Sequence, residues 1–191
     1  MLQRQLTRMG NAAAGAALAR LMDGNTEAAR EWFGMAVERY RESYEHAPPG
    51  SWGRPIGILK AHVLAGNWDG AEGDAEWTLA QGAAESESPI GRYAACLALL
   101  VLDRNEQARV LADGLRTQDG FPSAVGDALA MLAAQDPVGY LEAVEAVLES
   151  FETRDEYLED LPIADTVLVL QALAKRRDMA AELSSALLPR A

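Results

Sequence analysis

Three chemically versatile side chains are scarce in this 191-residue chain, which has one cysteine, two histidines and two lysines. Cys96 cannot close an internal disulfide, and its neighbours Ala94, Ala95 and Leu97 mark it as a buried, inert thiol. His46 and His62 have no second histidine at ligand spacing on the same helix. A zinc site would need carboxylates from far along the chain, so no metal or cofactor is expected. No glycine-rich phosphate loop is present: Gly70 and Gly73 lie in a helical stretch with no Lys-Ser or Lys-Thr after them. A Gly-x-Ser-x-Gly elbow is also missing. The longest apolar run, 94–102, has nine residues, where a membrane-spanning helix needs about twenty. Arg4 and Arg8 before 12–19 imitate a signal peptide only loosely, because that stretch is alanine and glycine with one leucine. The expectation is a cytoplasmic protein with no membrane contact and no catalytic machinery.

What is present is charge of one sign, unevenly placed. The net charge is −12, and such a chain repels nucleic-acid phosphates, so DNA or RNA is not expected as a partner. Residues 136–160 hold nine acids against Arg154 alone, a local −8, while 1–64 and 161–191 are slightly positive. Fifteen of the seventeen basic residues are arginine, a usage that fits a GC-rich genome and a salt-adapted host equally. With 49% apolar and 24% charged residues, the composition is that of a globular protein, read as one domain over 1–191.

Four segments share a pattern of proline, then a small residue two places on, then apolar helical spacing. They begin at Pro55, Pro89, Pro122 and Pro162, with Gly57, Gly91, Ala124 and Ala164 at the small position. Proline suits the first turn of a helix, where its missing N–H has no helical partner to lose. The small residues predict close approach by a neighbouring helix. Each segment runs to a turn bearing a capping residue, Asn67, Asn105, Asp136 or Asp178, and Asn25 marks the same turn in an earlier copy. The unit is helix–turn–helix. First helices are predicted over 2–22, 53–65, 89–102, 122–134 and 162–176, and second helices over 26–46, 68–84, 105–117 and 137–159.

Within the second helices, Gly24, Ala29, Phe33, Ala36 and Val37, and less fully Gly66, Trp68, Ala71, Ala75 and Leu79, resemble the spacing of tetratricopeptide repeats. No first helix shows that family's Trp-Leu-Gly-Tyr half, so the repeats are degenerate. The fold class this implies is all-α, with about nine to ten helices stacked as hairpins in one array or bundle.

Two groups of residues suggest binding surfaces. All four tryptophans lie between Trp32 and Trp77, among tyrosines, arginines and both histidines. One reading makes Trp32 or Phe33, Trp68 and Trp77 packing between helices. The other makes Tyr44, His46, Trp52 and Arg54, which flank Pro48-Pro49, an exposed contact set. The second group is Glu142, Glu145, Glu149, Glu152, Glu156 and Glu159, whose 3, 4, 3, 4, 3 spacing forms one stripe on the predicted 137–159 helix. Leu141, Val144, Leu148, Phe151 and Leu158 form the apolar stripe beside it, interrupted by Asp155. Like charges at these spacings repel by a few tenths of a kcal/mol per pair. The stripe is either a solvated face that aids solubility or a surface that attracts a basic protein partner.

The C-terminal part carries a further resemblance. Asp136-Pro137-Val138-Gly139-Tyr140, then Leu161-Pro162, Leu170-Gln171-Ala172-Leu173-Ala174-Lys175 and Ser185 to Leu188-Pro189, is similar to the end of the immunity protein 49 family of bacterial polymorphic-toxin systems. The chain departs from that pattern at Ser150-Phe151-Glu152, and no functional residue transfers. The resemblance implies a protein that neutralises a toxin by binding it. The function expected is therefore non-enzymatic protein binding, immunity-like, with a tetratricopeptide-like scaffold or regulatory adaptor for a peptide as the alternative.

Overall fold

Five helices of this chain end in the same way, and those endings define the repeat. At each, a residue in the left-handed region follows the last turn: Gly24 (φ 74°), Gly66 (67°), Asp103 (55°), Gln135 (54°) and Asp178 (55°). The next residue's N–H then reaches back five residues, Asn25 to Arg20, Asn67 to His62, Arg104 to Leu99, Asp136 to Met131 and Met179 to Ala174, at 2.8–3.0 Å. These bonds satisfy carbonyls that the helix end would otherwise leave unpaired. Asn25, Asn67 and Asp136 then accept from the first N–H groups of the following helix, each at 3.1 Å.

The computed structural model describes residues 1–190. It contains nine α-helices among those residues and no strand: α1 Leu2–Met22, α2 Thr26–Glu45, α3 Gly53–Ala65, α4 Trp68–Ala80, α5 Pro89–Val101, α6 Asn105–Arg116, α7 Ser123–Ala134, α8 Pro137–Glu152 and α9 Asp165–Lys175. The first eight pack as hairpins, each against the next, and the first helices α3, α5 and α7 also neighbour one another. This is the stacked, tetratricopeptide-like all-α architecture that the repeat implies.

Several local expectations need correction. In the third copy the cap position falls on Arg104, whose side chain caps nothing, and Asn105 is already inside α6. Asp103 takes the left-handed place there, which moves the turn back by one residue. Asp178 likewise holds the left-handed place of the fifth turn, and no helix follows it. Pro55, Pro89 and Pro122 stand at or beside the first turn of α3, α5 and α7, but Pro162 lies three residues ahead of α9 in extended chain. The 68–84 helix stops at Ala80, where Gly82 turns left-handed.

Glycine governs two close approaches. A Cβ on Gly10 or Gly57 would stand 2.7 Å from the Tyr40 ring, so α1 and α3 clamp that ring from two sides. On Gly126 it would stand 2.8 Å from the backbone nitrogen of Arg116, which makes Gly126, rather than half-buried Ala124, the contact point of the fourth copy.

α5 sits at the centre, with every residue from Tyr93 to Val101 buried. The chain then folds back on itself. After α8 it returns to α1, where Glu159 packs beside Gly15, and α9 lies across α3, α7 and α8. Its Val167, Leu170, Leu173 and Ala174 enter the main core. The tail follows α9, with Gln171 donating to Ala181 O (2.6 Å) and Ala164 N–H donating to Leu187 O (3.0 Å).

Candidate functional site

α8 presents Glu142, Glu145, Glu149 and Glu152 to solvent and buries Tyr140, Ala143, Val144, Val147, Leu148 and Phe151. Asp136 caps its first turn and Pro137 opens it. The six-residue stripe is not one helical face, because the helix ends at Glu152. Two side chains take carbonyls that the next turn would have used, Arg154 Nε donating to Ser150 O (3.2 Å) and Tyr157 Oη to Phe151 O (2.7 Å), while Thr153 Oγ1 joins its own N–H on Glu149 O (2.9 Å). The Arg154 guanidinium also stacks 3.5 Å above the Phe151 ring. Glu156 is exposed in the following extended segment, and Glu159 sits at φ 51° in the short 3-10 turn Leu158–Asp160. Leu141 and Leu158 are exposed, and the fully buried Tyr140 takes the place that the apolar stripe assigned to Leu141.

The four glutamates on α8 form no ion pair among the described residues. Arg104 pairs with Glu76, Arg109 with Asp113, and Arg116 with Asp113 and Asp127. Glu152 accepts one neutral hydrogen bond, from Ser185 Oγ at 2.7 Å.

Tyr44, His46, Trp52 and Arg54 do not form one exposed set. Trp52 is buried, against Ala83, Ala94 and Ala95, because Gly91 leaves room for its indole nitrogen. Arg54 donates to the fully buried hydroxyl of Ser43 at 2.8 Å and to Gln3, tying α3 to α2 and α1. Burial lowers its pKa. Tyr44 stands edge-on to Trp77 at 4.9 Å, and His46 is exposed at the end of α2. Phe33 fills the hairpin contact and leaves Trp32 at the surface, while Trp68 and Trp77 are half-buried.

A polar centre that no spacing along the chain announces lies between α2, α3 and α4. Asp74 is 3% exposed and accepts from His62 Nε2 at 2.9 Å and from Arg41. Burial acts to raise its pKa, but the His62 hydrogen bond and the Arg41 charge outweigh it and hold the carboxyl below its ordinary value. His62 Nδ1 meets Asn67 Nδ2 at 3.2 Å, so neither ring nitrogen is free to take a proton from a substrate. Cys96 is fully buried, its Sγ 3.6 Å from Ala108 O, and burial pushes its thiol up to about 12. Among the described residues no group of three or more His, Cys, Asp or Glu is arranged to hold a metal ion. No helix there is long and apolar enough to cross a membrane.

No family model matches the chain, and no curated protein or solved structure matches it either. The architecture is that of a helical-repeat scaffold.

Proposed function

We propose that the chain is a binding protein whose acidic α8 face holds a basic surface of a protein partner. The observation that carries this reading is the file of four exposed glutamates that form no ion pair among the described residues. Such a field accelerates encounter with an oppositely charged surface more than it deepens final affinity. An immunity-like role in the cytoplasm, in which the partner is a toxin and binding neutralises it, fits this mode and the C-terminal resemblance.

The position of α9 favours this reading over the peptide adaptor. It lies across α3 and α7, so the inner face that a peptide would follow is filled by the chain's own helix.

The test is capture of partners from the native organism, at that organism's own salt, with the wild-type chain and with a Glu142→Gln, Glu145→Gln, Glu149→Gln variant. The expected result is a basic protein held by the wild type and associating more slowly with the variant, most of all at low salt. Equal association rates at low salt would leave the acidic face as a solvated surface only.

A further inference from the structure

We propose that a cavity between α2, α3, α4 and α9 binds an organic carboxylate that carries a small apolar group. The cavity holds about 390 Å³, near the lower end of small-ligand sites. Its floor is apolar, from Val63, Leu64 and Ala172, with Trp68 as one wall. Arg30, Lys175 and Arg176 also line it, and no acidic residue does. In a chain with 29 acids against 17 basic residues, a concave site lined by three cations and no carboxylate opposes the prevailing charge.

Two of the three cations, Arg30 and Lys175, have charged nitrogens left free to meet an anion. Arg30 is fixed through Nε, which donates to Ala65 O at 3.1 Å, and its terminal nitrogens bond no other described residue. Arg176 stacks 4.3 Å from the Trp68 ring centre and already donates to Val101 O and Glu72 at 3.4 Å, with Asp103 at 3.7 Å, so it forms part of the wall. Lys175 is exposed and makes no ion pair among the described residues. A carboxylate entering here meets Arg30, already oriented by Ala65 O, and the unpaired ammonium of Lys175, and its apolar group covers the floor. A neutral ligand of the same shape forgoes the first contribution. An inorganic anion forgoes the second. The site is separate from the acidic face on α8, and its failure would leave that reading untouched.

The experiment is an NMR titration with 3-phenylpropionate, read at the indole N–H of Trp68 and assigned with Trp68→Phe. The expected result is a saturable shift with Kd near about 1 mM or tighter, and binding of the neutral 3-phenylpropanamide weaker by about tenfold or more. Arg30→Glu and Lys175→Glu should each weaken the carboxylate by about tenfold; Lys175→Glu should leave the unfolding midpoint in place, since it is exposed and unpaired, and Arg30→Glu should lower it only by the loss of its one exposed bond to Ala65 O. A peptide ending in leucyl-phenylalanine, with free or amidated carboxyl terminus, distinguishes the source. Tighter binding of the free-carboxyl peptide assigns a polypeptide end, and tighter binding of 3-phenylpropionate assigns a free small carboxylate. No saturable shift to about 20 mM, equal binding of the amide, or unchanged affinity in both charge reversals overturns the proposal.

Discussion

Lys60 Nζ on α3 donates to Asp165 Oδ2 at 2.8 Å and to Thr166 Oγ1 at 2.9 Å on α9. One ammonium thereby joins the first helix of the second repeat to that of the fifth. Burial works against its charge, yet Asp165 outweighs burial and raises the lysine pKa above its usual value. Both side chains are largely shielded, at 19% and 18% exposure. Asp165→Ala should therefore lower stability by about 2 kcal/mol, because it leaves a shielded ammonium without its counter-charge. Lys60→Met combined with Asp165→Leu should restore most of that loss. Denaturant midpoints of the single and double variants check both statements.

Gln135 is a non-glycine residue at φ 54° in the fourth turn, with its side chain exposed. Gln135→Gly removes the left-handed strain and deletes no buried contact, so it should stabilise the fold by about 0.5–1 kcal/mol. A thermal midpoint that falls would show that the Gln135 side chain holds the turn by contacts of its own.

Repulsion among the α8 glutamates should be visible in the isolated protein. Glu142→Gln, Glu145→Gln, Glu149→Gln should leave stability unchanged or raise it by about 0.5 kcal/mol at low salt, and the gain should fade as salt is added. Glu152 is kept because it accepts from Ser185. Thermal melts at two ionic strengths decide the matter.

Asp74 predicts a loss of stability in acid. Its folded-state pKa lies below the ordinary carboxyl value, so the unfolded chain binds the proton first as pH falls. The contribution is complete above the ordinary carboxyl pKa and disappears as pH falls through the lower, folded value. Asp74→Asn should flatten that part of the stability–pH curve. An unchanged acid limb would assign the loss to other carboxylates.

Cys96 should resist thiol reagents in the native state, being fully buried with its pKa raised to about 12. Its reaction should begin only with unfolding, so labelling against denaturant should follow the circular-dichroism transition.

The repeat was legible in the sequence wherever one residue type meets a local backbone need. Asn25, Asn67 and Asp136 cap their helices as read, because capping depends on neighbours one to three residues away. Asn105 misled by one place, since Asp103 can also occupy the left-handed position. The end of α8 was hidden because the glutamate spacing runs on through Glu159, while Arg154 and Tyr157 turn back onto the carbonyls that a further turn would need. Trp52 and Arg54 looked exposed beside a proline loop, and only the approach of α5, α2 and α1 encloses them. The Asp74 centre draws on α2, α3 and α4 at once, and no spacing along the chain encodes that meeting. The cationic cavity is hidden likewise, since Arg30 and Lys175 are brought together only when α9 crosses α3.

That crossing sets how many repeats the protein can have. An open array grows by insertion, because each unit needs only its neighbours, and it unravels from its ends one unit at a time. Here the last inner helix returns to the second repeat, and the segment before it returns to the first. An inserted hairpin would carry Asp165 out of reach of Lys60 and lift Leu170 and Leu173 from the core. Duplication of a unit, the usual route by which such proteins lengthen, would therefore break this one open, and the chain should unfold as one unit rather than by fraying from its C-terminal end.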